Sequence, residues 1–113
     1  MSEKNETKVE ARVIRVALKN PREMEAMRVE KGYDNFKKAI CFCHPRQRID
    51  DTDVEVMMRS GGIPMWDSNF NCATKAEVGD YIIREFLPLS GTYSGYKVPA
   101  DIFEREFTEV KDE

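Results

Sequence analysis

Residues 77–107 read EVGDYIIREFLPLSGTYSGYKVPADIFEREF, and the reading of this run decides the fold class. Gly79-Asp80 is a turn dipeptide, and Tyr81, Ile82, Ile83, Arg84, Glu85 and Phe86 after it have the aromatic and β-branched character of a strand. The small residues from Ser90 to Gly95 can reverse the chain, and Tyr96, Lys97 and Val98 then return as a partner strand. Pro99 can open a short helix that carries Phe103 and Phe107. A hairpin closed by an aromatic helix predicts an α+β domain: an antiparallel sheet, barrel-like closure allowed, packed with two to four helices.

Working outward, residues 1–8 are polar and read as a disordered tail, leaving 9–113 as a single domain. Val9, Ala11 and Val13 share one face of an extended segment, and the apolar phase then shifts to Ile14, Val16 and Leu18. Such a shift predicts a bulge or a strand buried on both faces. Asn20 as cap, Pro21 in the first turn and Gly32 as terminator predict a helix carrying Met24 and Met27. From Tyr33 to Cys43 two periodicities compete. Phe36, Ala39, Ile40 and Cys43 suit a helix from Asp34 stopped by Pro45, whereas Ala39, Cys41 and Cys43 alternate as in a strand; the helix is preferred. Residues 51–60 pose the same choice, and a helix capped by Asp51 or Thr52 and stopped by Gly61-Gly62 is again preferred. Residues 63–66 and 70–74 read as short strands around the turn Asp67-Ser68-Asn69, with Pro64 implying an edge.

The segments GDYIIRE and YKVPADIFEREFTEV resemble the end of a group of small accessory proteins encoded by bacteriophages and prophages. The resemblance is carried by Gly79-Asp80-Tyr81-Ile82-Ile83, Tyr96, Pro99, Asp101-Ile102-Phe103-Glu104 and Phe107, and Val9-Glu10-Ala11-Arg12 is similar to that group's first strand. This chain departs in placing Ala100 between proline and aspartate and in a longer loop from Leu87 to Gly95. The resemblance covers about a third of the chain. It implies a small α+β domain from a phage accessory region, and it brings no catalytic residues with it.

At 113 residues the chain is long enough for one core without a metal or disulfide, and 41% hydrophobic with 35% charged residues fits a folded domain with a heavily charged surface. A net charge of −3 argues against non-specific nucleic-acid binding as the main role. With no membrane-length apolar run and no apolar leader, the expected place is the cytoplasm of the bacterial host. Three cysteines, an odd number without an export signal, read as reduced thiols.

Four constellations are candidates for chemistry. Cys41, Cys43 and His44, with Cys72 later, offer zinc-type ligands, yet one residue rather than two separates the first cysteines and no second pair matches. Small buried thiols are the simpler reading, and neither a metal nor a cofactor is expected. Asp50, Asp51, Asp53 and Glu55 gather four carboxylates; they lack the glycine and distal glutamate of a calcium loop and suit a helix N-terminus. Residues 34–48 set Lys37, Lys38, Arg46 and Arg48 against the single carboxylate of Asp34, interleaved with Phe36, Phe42 and His44. A basic patch of this kind can hold a phosphate or stack a base, or can simply be a solvated helix face. Tyr93 and Tyr96, in the loop after Pro88, and Trp66 are the remaining recognition candidates.

The expectation is a non-enzymatic, phage-type binding protein. It would hold a host protein or a small phosphorylated ligand, with Lys37, Lys38, His44, Arg46, Arg48, Trp66, Tyr93 and Tyr96 as site residues and a homo-oligomer allowed. Countering a host defence or redirecting a host enzyme is the natural role for such a factor. One alternative is a nucleic-acid module, because the GD turn entering a strand is similar to small barrels of the ASCH and PUA type. Another is a metal-dependent nucleotide hydrolase using Asp51 and Asp53.

Overall fold

The computed structural model describes residues 9–17, 23–87 and 90–110. The expected N-terminal tail, the cap and proline at Asn20 and Pro21, and Leu18 lie outside them. In chain order the elements are β1 (Ile14–Ala17), β2 (Glu23–Arg28), α1 (Tyr33–Cys43), α2 (Asp51–Ser60), β3 (Ile63–Asp67), β4 (Cys72–Ala76), β5 (Tyr81–Leu87), β6 (Thr92–Val98), α3 (Ala100–Glu106) and β7 (Thr108–Glu109).

Five strands form one antiparallel sheet in the order β6-β5-β2-β1-β7, and β3 and β4 form a separate two-stranded ribbon. The α+β class is therefore the one expected; the described residues form three helices, and among them the sheet stays open and does not close into a barrel.

Strand β5 explains the two-sided architecture. Ile82 and Ile83 are consecutive, so their side chains point to opposite faces, and both are buried, at 1% and 0% exposure. Ile82 joins Met27 of β2 beneath Phe36, Ala39 and Ile40 of α1, Val54 of α2, and Ile63 and Met65 of β3. Ile83 joins Val16, Met24 and Ala26 beneath Phe103 of α3. Burying one such side chain contributes about 1.5–3 kcal/mol, so this one dipeptide anchors both layers.

The helix expected over residues 20–32 is corrected. Glu23-Met24-Glu25-Ala26-Met27-Arg28 has good helix formers, but it is the central strand, paired with β1 from Ile14↔Ala26 and with β5 from Ala26↔Ile83. Its alternation sends Met24 and Ala26 to the α3 side and Met27 to the α1 side, so long-range pairing overrides local propensity. Gly32, at φ +97°, precedes α1 and does not end a helix. Of the expected strand over residues 9–18, the described residues pair over Ile14–Ala17 and not over 9–13, so the phase shift marks where the ladder starts.

Both ambiguous segments are helical. α1 buries Phe36, Ala39, Ile40 and Phe42, and its last bond runs from the His44 amide to the Ile40 carbonyl, just before Pro45. α2 is capped one residue earlier than expected: the Asp50 carboxylate accepts from the Asp53 amide at 3.0 Å, and the Asp53 carboxylate accepts from the Asp50 amide at 3.1 Å. Gly61, at φ +93°, ends it in the left-handed conformation.

The β5–β6 hairpin is tighter than expected. Register continues from Tyr81↔Val98 to Leu87↔Thr92, so Thr92 to Gly95 are strand, and the presumed long loop from Leu87 to Gly95 does not exist. Ribbon β3–β4 is present as expected, but Asp67 belongs to the first strand and the second starts at Cys72 rather than Phe70; the ribbon leans on the β6 edge, where the Ser68 amide donates to the Gly95 carbonyl at 2.8 Å. Among the described residues no helix is long and apolar enough to cross a membrane.

Candidate functional site: a cationic cleft beside α1

Residues 9–13 run alongside α1 because of one side chain. The Asn35 carboxamide oxygen accepts from the Ala11 amide at 2.7 Å, and its nitrogen donates to the Val9 carbonyl at 3.0 Å, as a neighbouring strand would. Ala11 is buried beneath this strap while Val9 and Val13 are exposed. Between strap, helix and sheet lies an open cleft of about 1130 Å³.

Four cations, Arg12, Lys37, Lys38 and Arg84, line it against two carboxylates, Glu10 and Asp34. The lysines project from α1 and are lightly tied. Lys38 Nζ is 3.0 Å from Glu10, and Lys37 Nζ is 3.8 Å from Asp51, whose own side chain is 78% exposed. Exposed pairs like these contribute little and are screened by salt, so an incoming anion can displace them.

Arg84 is held differently. Its Nε donates to Glu25 Oε1 at 2.7 Å and its Nη1 to the Phe42 carbonyl at 2.9 Å. The guanidinium also lies 4.0 Å from the centroid of the Phe42 ring and 4.8 Å from that of Tyr93. With its side chain only 18% exposed, Arg84 is a fixed positive floor, whereas the lysine side chains are 41% and 44% exposed.

Behind the lysines, the Tyr33 hydroxyl donates to Asp51. That hydrogen bond, with burial and nearby carboxylates, pushes the phenol up to about 12. Tyr33 thus bridges α1 and α2 and shares Asp51 with Lys37.

The sequence-predicted residues are not gathered in one place. Lys37 and Lys38 line the cleft, and Tyr93 closes over its Arg84 floor. Tyr96 points to the other face of the sheet, where it packs with the α3-side core and its hydroxyl lies 3.9 Å from the Met24 sulfur. His44 Nε2 is 2.7 Å from the Pro64 carbonyl, Arg46 donates to the Gly91 carbonyl at the tip of the β5–β6 hairpin, and Arg48 is exposed in the same loop. His44 and Arg46 tie the α1–α2 connection to its neighbours, and all three residues lie outside the cleft lining. Trp66, 59% exposed, stands with Phe70 at the end of the β3–β4 ribbon.

The zinc candidates stay apart. Cys41 and Cys43 are two residues apart on α1, Cys72 begins β4, and no group of three or more potential ligands forms among the described residues. Cys41 and Cys72 are exposed, and burial pushes the Cys43 thiol up to about 12. In the acidic run, Asp50 and Asp53 cap α2.

Arg12, Asn35 and Arg84 were not singled out by sequence reasoning. For Arg84 a signal existed: it shares the parity of Ile82 in β5, and a charged residue on the core-facing side of a strand needs a partner. Asp67, expected only as a turn residue, ends β3. It is 2% exposed and accepts from the amides of Asn69, Phe70 and Lys97 at 2.8, 2.9 and 3.3 Å, locking the ribbon turn to β6.

The chain matches no protein-family model, no curated protein and no solved structure.

Proposed function

We propose that this is a non-enzymatic binding protein that holds a small phosphorylated ligand in the cleft between residues 9–13 and α1. The observation that carries the reading is the charge of the lining, four cations to two carboxylates in a chain that is acidic overall. Two of those cations are only loosely paired, which leaves them available to a phosphate at small cost. The resemblance to phage accessory proteins gives such grip a purpose: sequestering a phosphorylated signal molecule to counter a host defence. A hydrolase reading on the acidic run has less support, because Asp50 and Asp53 are engaged in capping α2.

Isothermal calorimetry against a panel of phosphorylated metabolites at low salt tests the reading. Lys38→Ala should weaken binding about ten-fold, the worth of one charge-assisted hydrogen bond, without lowering the melting temperature. Arg46→Ala, outside the cleft, should leave affinity unchanged. The opposite ranking of the two variants removes the cleft as the site.

A second reading rests on Trp66 and Phe70, 59% and 75% exposed at the end of the ribbon. Large exposed aromatics are the residues that anchor protein interfaces, so this end suits a host-protein partner. Loss of a captured host protein on Trp66→Ala, with Lys38→Ala still capturing it, would favour that surface over the cleft.

A further inference from the structure

We infer that the ligand is a nucleoside phosphate, with its base on the Phe86–Tyr93 pair and its phosphate among Arg12, Lys37 and Lys38; this rests on the cleft being an anion site. Arg84 lines the cleft and also a second hollow of about 330 Å³ that contains Phe86 and Tyr93. The two spaces therefore share one lining residue, Arg84. Phe86 and Tyr93 are cross-strand partners in edge-to-face contact, with centroids 5.4 Å apart, yet they remain 51% and 42% exposed. An exposed aromatic pair beside a cationic groove is the arrangement on which a base stacks while its phosphate is held by charge.

Charge gives the direction. The second hollow sets Glu25 and Glu85 beside Arg15 and Arg84, so it is balanced and has no surplus for a phosphate. The cleft has that surplus. The two ends are joined by a run of side chains: Lys38 and Phe42 are one turn apart on the same side of α1, a rise of about 6 Å. The Phe42 ring then leads through Arg84 to Tyr93 by the 4.0 and 4.8 Å contacts already described. An inorganic phosphate can engage only one end of such a path, whereas a ligand that also carries a base has a group for each end. Stacking tolerates any base, so the class follows from the geometry and the base identity does not.

Calorimetry with adenosine monophosphate, ribose phosphate and inorganic phosphate on the full chain provides the test. Adenosine monophosphate should bind at least about ten-fold tighter than ribose phosphate, in line with the worth of one stacked base. Phe86→Leu, which keeps apolar bulk and lies outside the cleft, should remove most of that advantage and leave ribose phosphate affinity unchanged; Tyr93→Leu should remove it as well. Saturation transfer between adenine protons and the Phe86 and Tyr93 rings of the unaltered protein gives the same answer without a variant. Equal affinity for the two probes overturns the base subsite while the anion cleft stands. Binding of neither overturns both.

Discussion

The two faces of the five-stranded sheet are built from the same strands and end up doing different things. On one face α3 lays down a continuous aromatic stack: Tyr81 and Phe103 at 3.7 Å between centroids and 3° between planes, then Phe103 and Phe107 at 5.0 Å and 9°. Among the described residues its buried members are all apolar, and the Arg28 guanidinium lies at its edge, 5.9 Å from the centroid of the Tyr81 ring. On the other face α1, α2 and the ribbon cover Met27 and Ile82, but the cover stops at Arg84, and beyond it lie a cleft and a hollow. The polar residue at a core-facing position marks where packing ends and recognition can begin. Tyr93 and Tyr96 show the same division, three residues apart on one strand and on opposite faces.

Paired truncations probe this contrast most severely. Phe103→Ala, on the sealed face at 8% exposure, should lower stability by about 3 kcal/mol in chemical denaturation, from lost burial and the cavity left behind. Tyr93→Ala, on the open face at 42% exposure, should cost under about 1 kcal/mol. Equal losses would mean that the two faces are equally structural.

Smaller in effect is the cap of α2, on the open side. Asp50→Ala removes a reciprocal pair of hydrogen bonds and should cost about 1 kcal/mol. Asp51→Ala, one residue on, should leave the cap intact and release Tyr33 and Lys37.

Titration separates the faces by cause. Tyr33 is raised to about 12 chiefly by its hydrogen bond to Asp51, whereas Tyr81 is raised chiefly by burial beside α3. In both, the folded value exceeds the unfolded one, so the stabilisation is complete below pH 10 and is lost for Tyr33 as pH rises toward about 12. Ultraviolet titration of Asp51→Asn should return Tyr33 toward the ordinary value and leave Tyr81 late. The finest distinction is among thiols. At pH 8 a maleimide should modify Cys41 and Cys72 quickly and Cys43 slowly, because burial holds the Cys43 thiol near 12 and little thiolate forms. Three equal rates would show that α1 does not bury Cys43.

Much of this architecture was legible in the chain. The Gly79-Asp80 turn, strand β5, the return strand and the helix carrying Phe103 all follow from local chemistry, although Phe107 falls just past that helix in extended conformation, and α1 and α2 follow from apolar spacing with glycine and proline stops. β2 was not legible, because a central strand made of Glu, Met, Ala and Arg is stabilised by its two neighbours and not by its own propensity. Of the site, Lys37, Lys38 and Tyr93 could be picked out as chemistry-bearing. That Arg46 and Arg48 belong elsewhere could not, since the cleft joins residues 9–13, α1 and β5 only after folding. The same holds for Asn35, whose role as a substitute strand partner depends on a segment 24 residues away.

The most direct measurement of the central claim is an amide chemical-shift map of the labelled protein titrated with adenosine monophosphate. The account predicts shifts confined to residues 9–13, to α1 from Tyr33 through Phe42, and to Arg84, Phe86 and Tyr93, with α3 and the β3–β4 ribbon silent. Shifts centred on α3 or on Trp66, with the cleft residues unmoved, would contradict it.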